Sequence, residues 1–288
     1  MLEIKEEELK KILPIDGPSI DQVRRYLEKY NDEYIVIKCG GSVLVDQNLF
    51  EIFIKDIATL NKLGFIPIVV HGGGKRISNK LNELGIKSEF IKGLRVTRKE
   101  TIEVVEQVLT KFNKEIVEAL KQQSCNSETI NSKVNNVISV IKESNDLGFV
   151  GVPTKIDKDI IDKIVNGKKI PVIAPLGLDK DNQTYNINAD TAAGSIAKKI
   201  KARRLIIMSD VEGVLDSNKK LIPEINSSSI KDLIDNEIIT GGMIPKINNC
   251  LDVASNGVKG VVIIDGRKNH SILFELLSDK GSGTLIRQ

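Results

Sequence analysis

Tryptophan is absent from this chain, aromatic residues make up only 4% of it, and histidine occurs twice. Surfaces that hold single-stranded nucleic acid rely on stacked aromatic rings, so that class is disfavoured. No excess of one charge is present either: 42 basic residues against 39 acidic leave +3, and the lysines are scattered through helical segments rather than gathered in a block. Such a balance suggests no nucleic-acid or membrane partner. Cysteine occurs three times, at Cys39, Cys125 and Cys250, an odd number without metal-ligand spacing. Reduced thiols in a cytoplasmic protein are expected, and no metal held by side chains. No apolar run approaches the ~18 residues of a membrane span, and the amino terminus lacks the apolar centre of a signal peptide, so a soluble protein is expected.

What is present is a chain of 288 residues, 41% hydrophobic, which suits one large α/β domain or two lobes. Its most informative feature is a pair of matching segments. Tyr34-Ile35-Val36-Ile37 runs into Lys38-Cys39-Gly40-Gly41-Ser42, and Ile68-Val69-Val70 runs into His71-Gly72-Gly73-Gly74. Each is a short β-branched run, the mark of a buried strand, that empties into glycines where a helix should begin. Glycine permits a sharp turn and a close ligand, and the N–H groups of a helix start attract anions. One such loop is as easily a plain tight turn; two together, one with a lysine on its strand end, favour phosphate chemistry. The lysine precedes the glycines, unlike that of a P-loop, and neither loop carries the Gly-x-Gly-x-x-Gly of a dinucleotide site. Cys39, inside the motif, reads as a small space-filler before it reads as a reactive thiol.

From residue 34 onward strands and helices alternate. Strands are expected at Tyr34–Ile37, Ile66–Val70, Asn136–Ile141, Ile170–Ala174, Leu205–Met208 and Gly260–Ile264. Helices are expected over Asn48–Leu63, Lys75–Leu84, Thr101–Gln123 and Asp190–Lys201, with a polar loop over Cys125–Lys133. This order predicts an α/β fold with a mostly parallel central sheet, helices on both faces, and ligands at the carboxyl ends of the strands. Residues 1–33 read as two helices broken at Pro14-Ile15-Asp16-Gly17-Pro18, the second opened by a capping box of Ser19 and Gln22. Its apolar face, Ile20, Val23, Leu27 and Tyr30, must be buried on its own domain or on another subunit.

Three further clusters carry polar groups to strand ends. Asn186, Asn188 and Asp190 precede a helix of small residues, where Asn188 or Asp190 makes a good N-cap without being lost to a ligand. Ser209-Asp210-Val211-Glu212-Gly213 ends a buried strand in a polar turn, the place where open α/β sheets bind nucleotides. Thr240-Gly241-Gly242-Met243-Ile244-Pro245-Lys246 puts a lysine at a helix start, against the helix dipole, so its placement suggests a function other than helix stability.

With these residues in view, the chain resembles the amino acid kinase family, and within it the members that phosphorylate N-acetylglutamate. The resemblance runs from about Tyr34 to Gln288 through IVIKCGG, IVVHGGG, KGLRVT, PVIAPLG, TYNINADTAAG, LIIMSDVEGVLD, TGGMIPKINNCLDVA and VVIIDGRKNHSILFELLSDKGSGTLI, in order and spacing. It implies a three-layer αβα sandwich. After a helical extension over 1–33, a lobe over 34–178 would bind the acyl acceptor and make dimer contacts, and a lobe over 179–288 would bind ATP. The implied reaction moves the γ-phosphoryl group of ATP to the side-chain carboxylate of N-acetyl-L-glutamate, the second step of arginine biosynthesis, with Mg²⁺ carried on the ATP phosphates. A carboxylate with a pKa near ~4 is already ionised at neutral pH, so no general base is needed and the difficulty is electrostatic. By resemblance, Lys38 and Lys246 neutralise the transferring charge while Asp190 holds both lysines. Gly40, Gly41, Gly72, Ser209, Asp210, Gly213 and Met243 would serve ATP and its phosphates, the glycine-loop amides cradling the transferred group. Gly73, Gly74, Arg95, Asn186 and Asn188 would serve the acceptor, Arg95 through a bidentate carboxylate contact.

The N-terminal helix and the segment from Asp265 to Gly283 are similar to those of arginine-inhibited members, which are ring-shaped hexamers built from dimers. The resemblance therefore implies a homohexamer inhibited by L-arginine, with His270 and Glu275 as contacts to the effector. The chain departs from the family at Cys39, at Lys75-Arg76 after the triple glycine, and at Ser124-Cys125-Asn126-Ser127-Glu128, where a glycine-containing segment is expected. The rival readings are a sister kinase acting on an aminoadipate-type carboxylate and a non-catalytic amino-acid sensor; Lys38, Asp190 and Lys246 argue against the latter.

Overall fold

The computed structural model describes residues 4–241 and 243–288. Helices α1 (Glu6–Ile12) and α2 (Ile20–Tyr30) precede β1 (Tyr34–Cys39), and a 3-10 turn over Gly41–Leu44 leads to α3 (Gln47–Lys62). Next come β2 (Ile66–His71), α4 (Gly74–Glu83), a hairpin of β3 (Phe90–Ile91) and β4 (Leu94–Arg95), α5 (Lys99–Gln122) and β5 (Ser127–Ile130). The middle of the chain forms β6 (Ile138–Lys142), β7 (Gly151–Ile156), α6 (Lys158–Asn166), β8 (Ile170–Ile173), β9 (Leu176–Leu178), β10 (Thr184–Asn186) and α7 (Ala189–Ile200). It closes with β11 (Arg204–Ser209), β12 (Glu224–Asn226), α8 (Ser227–Asp235), α9 (Met243–Ser255), β13 (Val261–Asp265), α10 (Ser271–Leu277) and β14 (Gly283–Arg287).

Eight strands form one sheet in the order β12-β14-β13-β11-β1-β2-β8-β5, parallel throughout except between β13 and β14. Its central strands are β-branched on both faces because both faces are covered. Ile35, Ile37, Val69 and Ile206 point into a core closed by α1, α2, α3, α10 and the carboxyl half of α5. Val36, Ile68, Val70, Leu205 and Ile207 point the other way, against α6, α7, α8 and α9. The result is the expected αβα sandwich.

Several expectations need correction. Cys125–Lys133 is not simply a loop: Ser127–Ile130 pairs with Ile170–Ile173 as an edge strand. Only Ile130 of that strand is buried, so its sequence lacks an apolar run. The strand expected at Asn136–Ile141 falls at Ile138–Lys142 and leaves the main sheet, joining β7, β9 and β10 in a second, mixed sheet. The apolar face of α2 turns inward on its own chain, with Val23 and Tyr30 fully buried beside Phe65. Burying such side chains stabilises by roughly 1.5–3 kcal/mol each, which the helix gains without another subunit. The capping box forms as read, Ser19 Oγ accepting from Gln22 N and Gln22 Oε1 from Ser19 N. No helix among the described residues is long and apolar enough to cross a membrane.

Candidate active site

Because β1 and β2 are parallel neighbours with Cys39 opposite His71, the two glycine loops leave the sheet side by side. The Gly72 N–H donates to the Cys39 carbonyl at 2.8 Å, stitching one loop to the other. That amide is therefore engaged within the fold; what Gly72 offers a phosphate is clearance, and the free N–H directions belong to its neighbours. Gly41 has φ +62°, and a Cβ there would lie 2.3 Å from Asp210 Oδ1, so no other residue fits the turn. Asp210 Oδ1 accepts from Ser42 N at 2.8 Å, and its Oδ2 lies 3.1 Å from Lys75 Nζ, which also donates to Ser42 Oγ. Burial would raise the Asp210 pKa, but the Ser42 amide and Lys75 bring it below the usual carboxylate value.

The loops open on a cleft of about 620 Å³ lined by Lys38, Gly40, Gly41, Gly72 to Gly74, Arg95, Asn186, Asn188 and Asp190. A second hollow of about 660 Å³ shares Asn188 and Asp190 and adds Lys92, Gly241 and Lys246. Asp190 stands between them. Its Oδ1 is 2.9 Å from Lys38 Nζ and its Oδ2 2.6 Å from Lys246 Nζ, and the three side chains are 18%, 12% and 19% exposed. Asn188 is the N-cap of α7, accepting from the backbone N–H groups of Asp190 and Thr191, which leaves the Asp190 carboxylate to the lysines. Burial would raise the Asp190 pKa, but the two ammonium groups outweigh it and hold the carboxyl far below the usual range. Two cations on one anion leave one net positive charge in a place poor in water, where each contact is stronger than at the surface. Lys246 lies in the first turn of α9, so Asp190 compensates the unfavourable helix dipole as well.

At the other end of the cleft Arg95 is 7% exposed. Its guanidinium donates to Ser88 Oγ, Ser78 Oγ and the Gly74 carbonyl at 2.7–2.9 Å and lies over the Phe90 ring at 4.7 Å. All these partners are neutral, and burial disfavours the charge. A buried cation so placed is set to take an anion. Asn186 Nδ2 donates to Thr97 Oγ1 and its backbone N–H to the Phe149 carbonyl, fixing its amide beside Arg95's strand.

Other candidate residues lie apart from these two hollows. Ser209 ends β11 with its carbonyl accepting from Gly266 N, Met243 opens α9, and Gly213 has φ +141° at a turn packed on Thr284. His270 is buried between Asp56 and Asp16, at 2.5 and 3.1 Å. Glu275 is a separate half-buried carboxylate that accepts from Ser282 N at 2.8 Å. Cys39 is fully buried, and desolvation pushes its thiol up to about 12, which suits a space-filler. Ser42, Lys75, Ser78, Ser88 and Thr97 were not among the expected site residues. Of these only Lys75 carried a signal, a charge directly after the triple glycine; the serines and Thr97 are fixed by tertiary contact.

A family model described as the amino acid kinase family matches residues 33–265. The acetylglutamate kinase of Pelagibacter ubique (strain HTCC1062) is 69% identical over 288 residues, with all of both chains covered. That of Bradyrhizobium sp. (strain ORS 278) is 41% identical, covering 96% of this chain and 98% of the relative. Among solved structures, N-acetylglutamate synthase from Neisseria gonorrhoeae, complexed with coenzyme A and N-acetyl-glutamate, has a TM-score of 0.83 at 21% identity, over 93% of this chain and 62% of that one, a likeness of fold. Whole-length identity of this order, joined to two glycine loops and a lysine-aspartate-lysine triad bridging two adjoining hollows, shows that the chain belongs to the amino acid kinase family, among its acetylglutamate kinases.

Proposed function

We propose that this protein moves the γ-phosphoryl group of ATP onto the side-chain carboxylate of N-acetyl-L-glutamate, in the cytoplasm, as the second step of arginine biosynthesis. The carrying observation is the pairing of two charged ends: Lys38 and Asp190 at one end of the first cleft, with Lys246 joining Asp190 from the adjoining hollow, and a buried Arg95 with only neutral partners at the other. One end suits charge that develops, the other a carboxylate that stays.

In this reading Arg95 takes the acceptor's α-carboxylate, with Asn186 and Asn188 on its acetyl end and Gly73 and Gly74 close enough to touch it. The reactive carboxylate, already ionised, attacks the γ-phosphorus in line; a new O–P bond forms and the bond to the ADP oxygen breaks, with no proton to move. Lys38 and Lys246 meet the negative charge that spreads over the transferring group and its bridging oxygens, and Asp190 keeps their separation fixed. The lobe over 179–288 would carry the nucleotide, with Asp210 acting through the Ser42 turn. Mg²⁺ bound to the phosphates would offset their charge; the described residues hold no group of three acidic, histidine or cysteine side chains for it.

Incubation with ATP, hydroxylamine and either N-acetylglutamate or the aminoadipate analogue tests the reading, because an acyl phosphate is trapped as a hydroxamate. Hydroxamate is expected with N-acetylglutamate; a clear preference for the longer acceptor, or none with either, sinks it.

Feedback by L-arginine is part of the same proposal. Glu275 is half-buried without an ion pair among the described residues, and desolvation raises its pKa, a cost that a ligand guanidinium would relieve. His270, held by Asp56 and Asp16, would lie at the margin of that site. Binding would favour a lobe geometry that separates Lys38 from Lys246. A hexamer built from three dimers would have to use the outer face of α2, where Arg24, Arg25 and Glu28 are exposed. Light scattering and turnover at millimolar arginine, on the full chain and on Glu275→Gln, check this; a dimer indifferent to arginine ends it.

A further inference from the structure

His71 stands directly before the triple glycine yet faces away from the cleft, with none of its surface exposed. Its Nδ1 is 2.9 Å from the Gly72 carbonyl oxygen, and its Nε2 is 3.1 Å from Asn113 Nδ2. A carbonyl only accepts, so Nδ1 carries the proton. The same Asn113 Nδ2 donates to the Val172 carbonyl at 2.9 Å, which fixes the amide with its nitrogen inward and leaves Nε2 as an acceptor. Phe112 closes the ring's flank edge-on at 5.1 Å, and desolvation lowers the imidazole pKa to about 4, so the ring stays neutral. In a trans peptide the carbonyl and the next N–H point to opposite sides of one plane. Gly72 C=O held toward the core therefore sends the Gly73 N–H toward the cleft that both glycines line.

We propose that His71 is a positioning residue of the phosphotransfer site: as the Nδ1–H tautomer, locked by Asn113, it holds the Gly72 carbonyl and so aims the Gly73 N–H at the transferred group. The inference rests on the phosphotransfer reading above, but its first test needs no substrate. The chain has two histidines, and the other lies between two carboxylates, so a long-range ¹H–¹⁵N spectrum separates them. At pH 7 His71 is expected as the neutral Nδ1–H form; an Nε2–H form or an imidazolium overturns the proposal whatever the enzyme acts on. The second test compares two variants by kcat, KM and Tm. His71→Asn sets an amide donor near the Nδ1 position and is expected to keep kcat within about fivefold, whereas His71→Gln reaches Asn113 instead and should lose about tenfold or more in kcat, the scale of one buried hydrogen bond, with both KM values within about threefold. Equal losses in the two variants, or losses that follow Tm, overturn the assignment.

Discussion

Asp190 and Asp56 are both drawn largely out of water, and burial alone would raise both pKa values, yet they move in opposite directions. Asp190 touches two ammonium groups, which outweigh desolvation and keep it ionised. Asp56, 2% exposed, touches one imidazole and is pushed up to about 6, while the Asp56 bond raises the pKa of His270. Permanent cations make a carboxylate a fixed charge, whereas a titratable partner makes it half of a proton-sharing pair. The first belongs in a site that must be equally charged at every working pH, and the second, outside the lining of either hollow, fastens the Asp16 linker and α10 to α3.

Asp190→Asn tests this difference most severely. Removing the anion leaves two buried ammonium groups facing each other, and kcat should fall a hundredfold or more; a loss under tenfold means the triad is not the centre of the site. Arg95→Lys replaces a planar fork by a point charge and should raise the acceptor KM about tenfold while leaving that for ATP unchanged. A rise for ATP alone would reverse the two ends of the cleft.

The Asp56–His270 pair should show in stability against pH. Both folded values are raised, so the stability they contribute is complete at low pH and is lost as pH rises through about 6 and then through the raised His270 value. Tm is expected to fall between pH 6 and 8.5 in the parent and to fall less in Asp56→Asn; parallel curves would mean that the pair does not couple stability to pH. Smallest is Lys75→Ala. That lysine is 49% exposed in its contact with Asp210, and solvent screens such pairs, so kcat should change less than about threefold and stability by under about 1 kcal/mol.

The parts of this fold read directly from sequence are those set by neighbouring residues. β1 and β2 with their glycine ends, the Ser19–Gln22 box and the Asn188 cap are local and were legible as such. Parallel pairing of β1 with β2 then brings Lys38 beside the triple glycine without further information. What depended on distant packing was not legible. β5 has one buried residue and gives no apolar run, whereas the apolar face of α2 packs on its own chain, one of the two outcomes its pattern allowed. The amide of Gly72 looks free for a phosphate in the sequence, but the register opposite Cys39 engages it. The neutral ring of donors' partners around Arg95, and the carboxylates around His270, come from segments far along the chain, and no spacing announces them.

In the proposed reaction the fixed charges around Asp190 act on the transition state. Steady-state kinetics of Lys246→Ala with both substrates varied test this most directly, because a contact made only as charge develops appears in kcat and not in acceptor binding. A kcat at least about a hundredfold below the parent is expected, with an acceptor KM within about threefold. A variant that keeps more than a tenth of the parent kcat, or one whose defect lies wholly in KM, would contradict it.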